Sequence, residues 1–161
     1  MVRNDIEPFL LDVEKPGRYV GGEPNSVVKN RDEVNIRFAF CFPDVYEIGM
    51  SHLGMKILYG LYNAIPDVWC ERVFAPWPDM EEKMRAHSVP LYGLESGDSL
   101  KEFDFVGFTL QYELSYSNIF TMLHLSGIPF LSAERANDDP IVVLGGPCVC
   151  NPEPQIGRAH V

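Results

Sequence analysis

Three short stretches gather the residues able to do chemistry. PDVYEIGMSHLGMK (43–56) packs Asp44, Tyr46, Glu47, Ser51 and His52 around Gly49 and Gly54. GFTLQYELSYSN (107–118) carries Thr109, Gln111, Tyr112 and Glu113. GGPCVC (145–150) sets Gly145 and Gly146 ahead of Cys148 and Cys150. Hydroxyls, carboxylates and an imidazole can exchange hydrogen bonds with a ligand's polar atoms. Paired glycines at a strand end let a ligand approach the backbone closely. Structural readings stand beside these. The first stretch also reads as a long turn, with Ser51 capping a helix and His52 at the surface. Thr109 also reads as a β-branched strand residue, and Glu113 as a carboxylate near a helix N-terminus. A tight turn needs the glycine pair as much as a ligand does.

Alternating elements must position these stretches. VNIRFAFCFP (34–43), VWCERVFAP (68–76), FDFVGFTL (103–110) and PIVVLGG (140–146) are rich in β-branched and aromatic residues and read as strands. The third is apolar enough to be covered on both faces, with Phe105 in the core. Between them, GMKILYGLYNA places Met55, Leu58 and Tyr62 at helical spacing. PDMEEKMRAH turns Met80 and Met84 inward, with Asp79 and Glu82 spaced as a capping box. LSYSNIFTMLHLSGIP turns Ile119, Met122 and Leu123 inward and stops at Gly127 and Pro129. His87 and His124 fall near helix C-termini, where a cation is favoured.

Strand–helix repetition implies right-handed crossovers and a parallel sheet. The expected fold class is α/β: an open, mainly parallel sheet with flanking helices, of the flavodoxin or Rossmann type. Such sheets bind ligands at the carboxyl ends of their strands, where the three stretches lie. EKPGRYVGGEPNSVVKN, within residues 1–33, is rich in Gly, Pro and polar residues and reads as a leader or wrapping segment.

The chain of 161 residues has a net charge of −10, with 46% hydrophobic and 22% charged residues. That suits one globular domain and argues against nucleic-acid binding, which needs clustered Lys and Arg. No apolar run reaches membrane-spanning length. The four cysteines, at 41, 70, 148 and 150, form no disulfide-dense framework, so a cytoplasmic location is expected. Cys41 and Cys70 read as core. The C-x-C pair lacks the other ligands of a closed metal site, so no metal site is expected.

At the three loops the sequence resembles the cobalamin (vitamin B12)-binding domain. That family carries D-x-H-x-x-G after strand one, S-x-L at the end of strand three and GG after strand four. Here Asp44–Gly49 reads D-x-Y-x-x-G, Thr109–Gln111 stands where S-x-L would, and Gly145–Gly146 where GG would. The wider text, including KPGRYVGGEPNSVVK, RFAFCFPDVYEIGMSHLGMKILYGLYN and FDFVGFTLQYELSYSNI, is similar to the N-terminal part of cobalamin-binding-domain radical S-adenosylmethionine (SAM) proteins over residues 15–154.

The resemblance implies cobalamin as cofactor. Asp44, Tyr46 and Gly49 would lie beneath the corrin, and Thr109, Gly145 and Gly146 would receive the nucleotide tail. It implies a partner too: a radical SAM barrel of the same full-length chain, holding a [4Fe–4S] cluster and S-adenosylmethionine. This chain has no C-x-x-x-C-x-x-C cluster loop, so it supplies no catalytic residue of its own. Tyr46 stands where the family's cobalt-ligating histidine would, and a neutral phenol is a poor cobalt ligand. Gln111 in place of Leu makes the pocket more polar. Two alternatives stay open: a degenerate docking domain without cobalamin, or a flavin or nucleotide binder. Against the last, no G-x-G-x-x-G or P-loop follows a strand.

The closing IGRAHV (156–161) continues no element and matches one reading frame of a common sequencing adapter. The expected division is a leader at 1–33, the α/β domain at 34–154 and a non-native tail at 155–161 that truncates a longer protein.

Overall fold

Strand β1, Ile36–Phe42, is the chain's most continuous run of aromatic and small apolar residues, and the fold is built outward from it. The computed structural model describes residues 3–153 and 157–159. Most of the expected non-native tail, including Gln155, Ile156 and His160, lies outside the described residues, as does Pro154. β1 pairs in parallel with β2 (Val68–Phe74) on one side and β3 (Phe105–Thr109) on the other. β3 pairs in parallel with β4 (Ile141–Gly145), giving the order β2-β1-β3-β4. This is the expected α/β fold, a four-stranded parallel sheet with flanking helices.

The helices are α1 (Tyr46–Ser51), α2 (Leu53–Asn63), α3 (Pro78–His87) and α4 (Tyr116–Leu125). The step from β1 to β2 runs one way and the later steps run the other. Right-handed crossovers therefore put α2 on one face and α3 and α4 on the opposite face. The stacking of Phe38 on Tyr62 of α2, with ring centroids 5.0 Å apart, fixes which face is which. None of the helices among the described residues is long and apolar enough to cross a membrane.

The face toward α3 and α4 is closed. Ala39, Cys41, Val106, Phe108 and Val142 are all buried there. Met80, Met84, Ile119, Met122 and Leu123 close over it as their spacing predicts. The face toward α2 is uneven. Cys70 and Arg72 are buried beside β1, but Phe105 and Val143 are half-buried and Ile141 is exposed. The expectation that β3 is covered on both faces, with Phe105 in the core, therefore holds on one face only.

Four local expectations also change. The stretch after β1 is not all loop, because Tyr46–Ser51 forms α1. Met55 and Tyr59, not Leu58, carry the buried face of α2. Asp79 is not a capping residue: Trp77 takes the N-cap, and Pro78, pre-set for helical φ, takes the next position. The Asp79 carboxylate instead accepts hydrogen bonds from the backbone N–H groups of Met80 and Glu14. Fourth, the wrapping segment joins the core itself, since Ile6, Phe9, Leu10, Val13 and Tyr19 are buried in it. Cys41 and Cys70 are buried free thiols, and burial pushes both up.

Phe108, 1% exposed, is the aromatic anchor of the closed face. Phe108→Ala should cost about 3–5 kcal/mol in chemical denaturation. The same change at half-buried Phe105 should cost less, and equal losses would contradict the two-faced description.

Candidate functional site at the carboxyl edge of the sheet

The strand order reverses between β1 and β3, so the loops after these strands splay apart at the carboxyl edge. After β1 the chain is pinned at once. The Asn118 amide donates to the Pro43 carbonyl, 2.9 Å, and the Ala75 N–H to the Asp44 carbonyl, 3.0 Å. The Asp44 carboxylate accepts from the Val45 N–H at 2.7 Å. Gly49 lies inside α1, where a Cβ would fall 2.2 Å from a ring carbon of Phe74. Ser51 caps nothing, because its hydroxyl donates to the Glu47 carbonyl at 2.7 Å. His52 caps α2: its Nδ1 accepts from the Met55 N–H at 3.1 Å, so His52 is not free at the surface.

Tyr46 turns away from the β3–β4 side. Its ring meets Phe74 edge-on at 5.4 Å, and its hydroxyl donates to Glu23 of the leader at 2.9 Å. Burial, with the Glu23 carboxylate beside it, pushes the Tyr46 phenol up to about 12. With Arg18, Tyr19, Phe74, Ala75 and Pro76 it lines a cavity of about 20 Å³, room for one water. One guanidinium nitrogen of Arg18, Nη1, is buried with no hydrogen-bond partner among the described residues.

Glu23 belongs to a network that the sequence reading does not single out. Arg72 on β2 donates to Glu23 at 2.8 Å, and through Nε to Glu95 at 2.6 Å. The Tyr59 hydroxyl also donates to Glu95, at 3.1 Å. On the opposite face, Arg37 pairs with Glu71 at 2.5 Å and with Asp98 at 2.8 Å. The available signal was Glu71–Arg72, two charges inside an otherwise apolar strand.

The ends of β3 and β4 form the second half of the site. Thr109 and Gly145 are cross-strand partners, and the Leu110 N–H donates to the Gly145 carbonyl at 2.7 Å. Gly146 has φ +98°, and a Cβ on it would lie 2.5 Å from the Leu110 carbonyl oxygen, so glycine is required there. Gly145 is different. The nearest atom to its Cβ position is 4.0 Å away, so that side is open. Thr109 Oγ1 accepts from the Gln111 amide at 2.6 Å and keeps its own O–H to donate.

Thr109, Gly145 and Gly146 line one groove of about 260 Å³, with Phe38, Gly107, Leu58 and Tyr62 among its other walls. A Cβ at Gly107 would strike the Phe38 ring at 2.4 Å, so that ring lies across β3 at the groove floor. The structure thus brings Thr109, Gly145 and Gly146 together, and holds Asp44, Tyr46 and Gly49 apart on the β1–β2 side. Cys148 is half-buried and Cys150 exposed beyond the groove. Among the described residues no group of three or more His, Cys, Asp and Glu side chains could hold a metal ion.

Residues 54–157 match the family described as radical SAM proteins, N-terminal. The chain is also 37% identical over 111 residues to an uncharacterized protein of Methanocaldococcus jannaschii. That alignment covers 69% of this chain and 19% of the relative, so the chain spans about a fifth of the relative's length. No solved structure matches significantly.

Glu47 offers a test of how the rim is held. Hydrogen bonds from Arg18, with help from Lys15, hold its carboxyl down to about 2 from an ordinary 4.5. A depressed carboxyl contributes stability that is complete above its unfolded pKa and is lost as pH falls through the folded one. The thermal midpoint should therefore decline between pH 4.5 and 2 in part through Glu47. Glu47→Gln should be less stable near neutrality and converge on the parent as pH approaches 2. Parallel curves for the two proteins would contradict the pairing.

Proposed function

Because the chain belongs to the radical SAM N-terminal family, we propose that it is the module that holds cobalamin beside a radical SAM domain supplied by the rest of a longer protein. The groove joining Thr109 to Gly145 and Gly146 carries this reading. It opens at the carboxyl ends of adjacent parallel strands, where ligands of such sheets bind.

The residues fit one part of cobalamin, its nucleotide tail. Gly145 presents backbone without a side chain toward open space. Thr109 has a hydroxyl hydrogen to donate to a ligand oxygen, its acceptor side being used by Gln111. Phe38 and Tyr62, stacked on each other, give the groove an apolar aromatic wall. Gly146 holds the turn that keeps the Leu110 and Gly145 backbones together. Position 46 does not fit a cobalt ligand, because the Tyr46 hydroxyl is bonded to Glu23 and remains a phenol at neutral pH. Cobalamin, when bound, supplies cobalt-centred group transfer. The chain's own part is to hold the tail and keep the β1 loop rigid.

A second reading is a docking domain that has lost cobalamin, favoured by the Tyr46–Glu23 bond at the place where the resemblance implies a ligand. Hydroxocobalamin titration of the full-length protein, followed by visible absorption, separates the two. Saturable binding is expected, reduced at least tenfold by Gly145→Val, whose side chain would enter the groove. Gly145→Ala should melt close to the parent, controlling for folding. Absence of binding in a folded full-length protein would favour the docking reading. Binding unchanged by Gly145→Val would remove the groove from the site.

A further inference from the structure

The apolar surface does not end at the groove. Helix α2 reads LGMKILYGLYN and carries one charge, Lys56. A helix apolar nearly all round is a buried helix, yet Leu53 is 69% exposed, Ile57 52%, Leu58 41% and Leu61 60%. At about 100° per residue, Ile57, Leu58 and Leu61 fall within one arc of about 100°. Leu58 belongs to both the arc and the groove wall, so the arc adjoins the partly covered side of the sheet. That side continues the surface without a charge. In register order it presents Phe105 with Ile141, Gly107 with Val143, and Thr109 with Gly145.

We propose that this surface is the docking face for an amphipathic helix from polypeptide that follows the α/β domain in the full-length protein. The proposal rests on the reading of the chain as an N-terminal module and names the surface that receives the rest. Parallel sheets are covered on both faces, and here one face is covered while the other is only partly covered over β3 and β4, with Phe105 and Val143 half-buried and Ile141 exposed. A helix about 10 Å wide spans two strands about 4.8 Å apart, which is the width of that strip. The relative is about five times as long as the region it shares with this chain, so its family has polypeptide to supply such a helix. Seated there, the helix would rest on Ile57, Leu58 and Leu61 and wall the groove from the side opposite α2.

The test is made in the full-length protein with p-benzoylphenylalanine in place of Leu61, irradiated and mapped by mass spectrometry. An intramolecular crosslink to a residue that follows the α/β domain, at monomer mass, is the expected result. A dimer-mass adduct joining two copies overturns the proposal, as does the absence of any adduct or a natural reading frame that stops at Val161. Leu61→Asp is the second measurement. At a covered position it should lower the thermal midpoint by about 4 °C or more, whereas an exposed position would leave it nearly unchanged and overturn the proposal. A crosslink in a protein whose later sequence lacks a cluster loop would leave the docking standing and end the radical SAM reading. A cluster loop without the crosslink would do the reverse.

Discussion

Two buried arginines, one on each face of the sheet, hold the β2 side of this molecule together. β2 is an edge strand, and segment 91–98 runs beside it, with the Leu94 N–H donating to the Arg72 carbonyl at 3.0 Å. Successive side chains of that segment reach to opposite faces. Glu95 takes the Arg72 backbone N–H and guanidinium on the α2 face. Ser96 and Asp98 join Glu71 and Arg37 on the other. The charges thus cover an edge that would otherwise offer unpaired backbone groups. Glu23, tied to Arg72, brings the leader into the same arrangement and hands it on to Tyr46. Removing one partner of such a pair leaves an uncompensated buried charge, typically at a cost of about 3–5 kcal/mol. Leader, edge strand and β1 loop are therefore coupled.

This coupling explains what the sequence made legible. Strands β1 to β4, helices α2 to α4 and the inward Met80, Met84, Ile119, Met122 and Leu123 follow from local periodicity, and they agree with the structure. The differences arise where a distant partner decides. Asp79 resembles a cap until the Glu14 N–H is seen to reach it across 65 residues of sequence. Tyr46 resembles a rim residue until Glu23 draws its hydroxyl toward the leader. Arg72 and Glu95 are 23 residues apart, and no periodicity joins them.

The candidate site shows the same division. The pairing of Thr109 with Gly145 follows from two strand ends lying side by side, so the sequence pattern anticipates it. The two glycines of the pair then part company. Gly146 is fixed by its own chain, through its φ and the approach of Leu110, whereas nothing in the chain fills the space beside Gly145. Only the folded structure separates the two, because both are the same residue in the same short turn.

The Phe38 ring lies where a side chain of residue 107 would stand, between Tyr62 at 5.0 Å and Phe105 at 6.3 Å. Positions 38 and 107 therefore share a single volume. Across homologues they should covary, a larger residue at 107 accompanying a smaller one at 38. A lineage could deepen or fill the floor beneath Thr109 by trading bulk between two neighbouring strands while leaving every backbone hydrogen bond of the sheet in place.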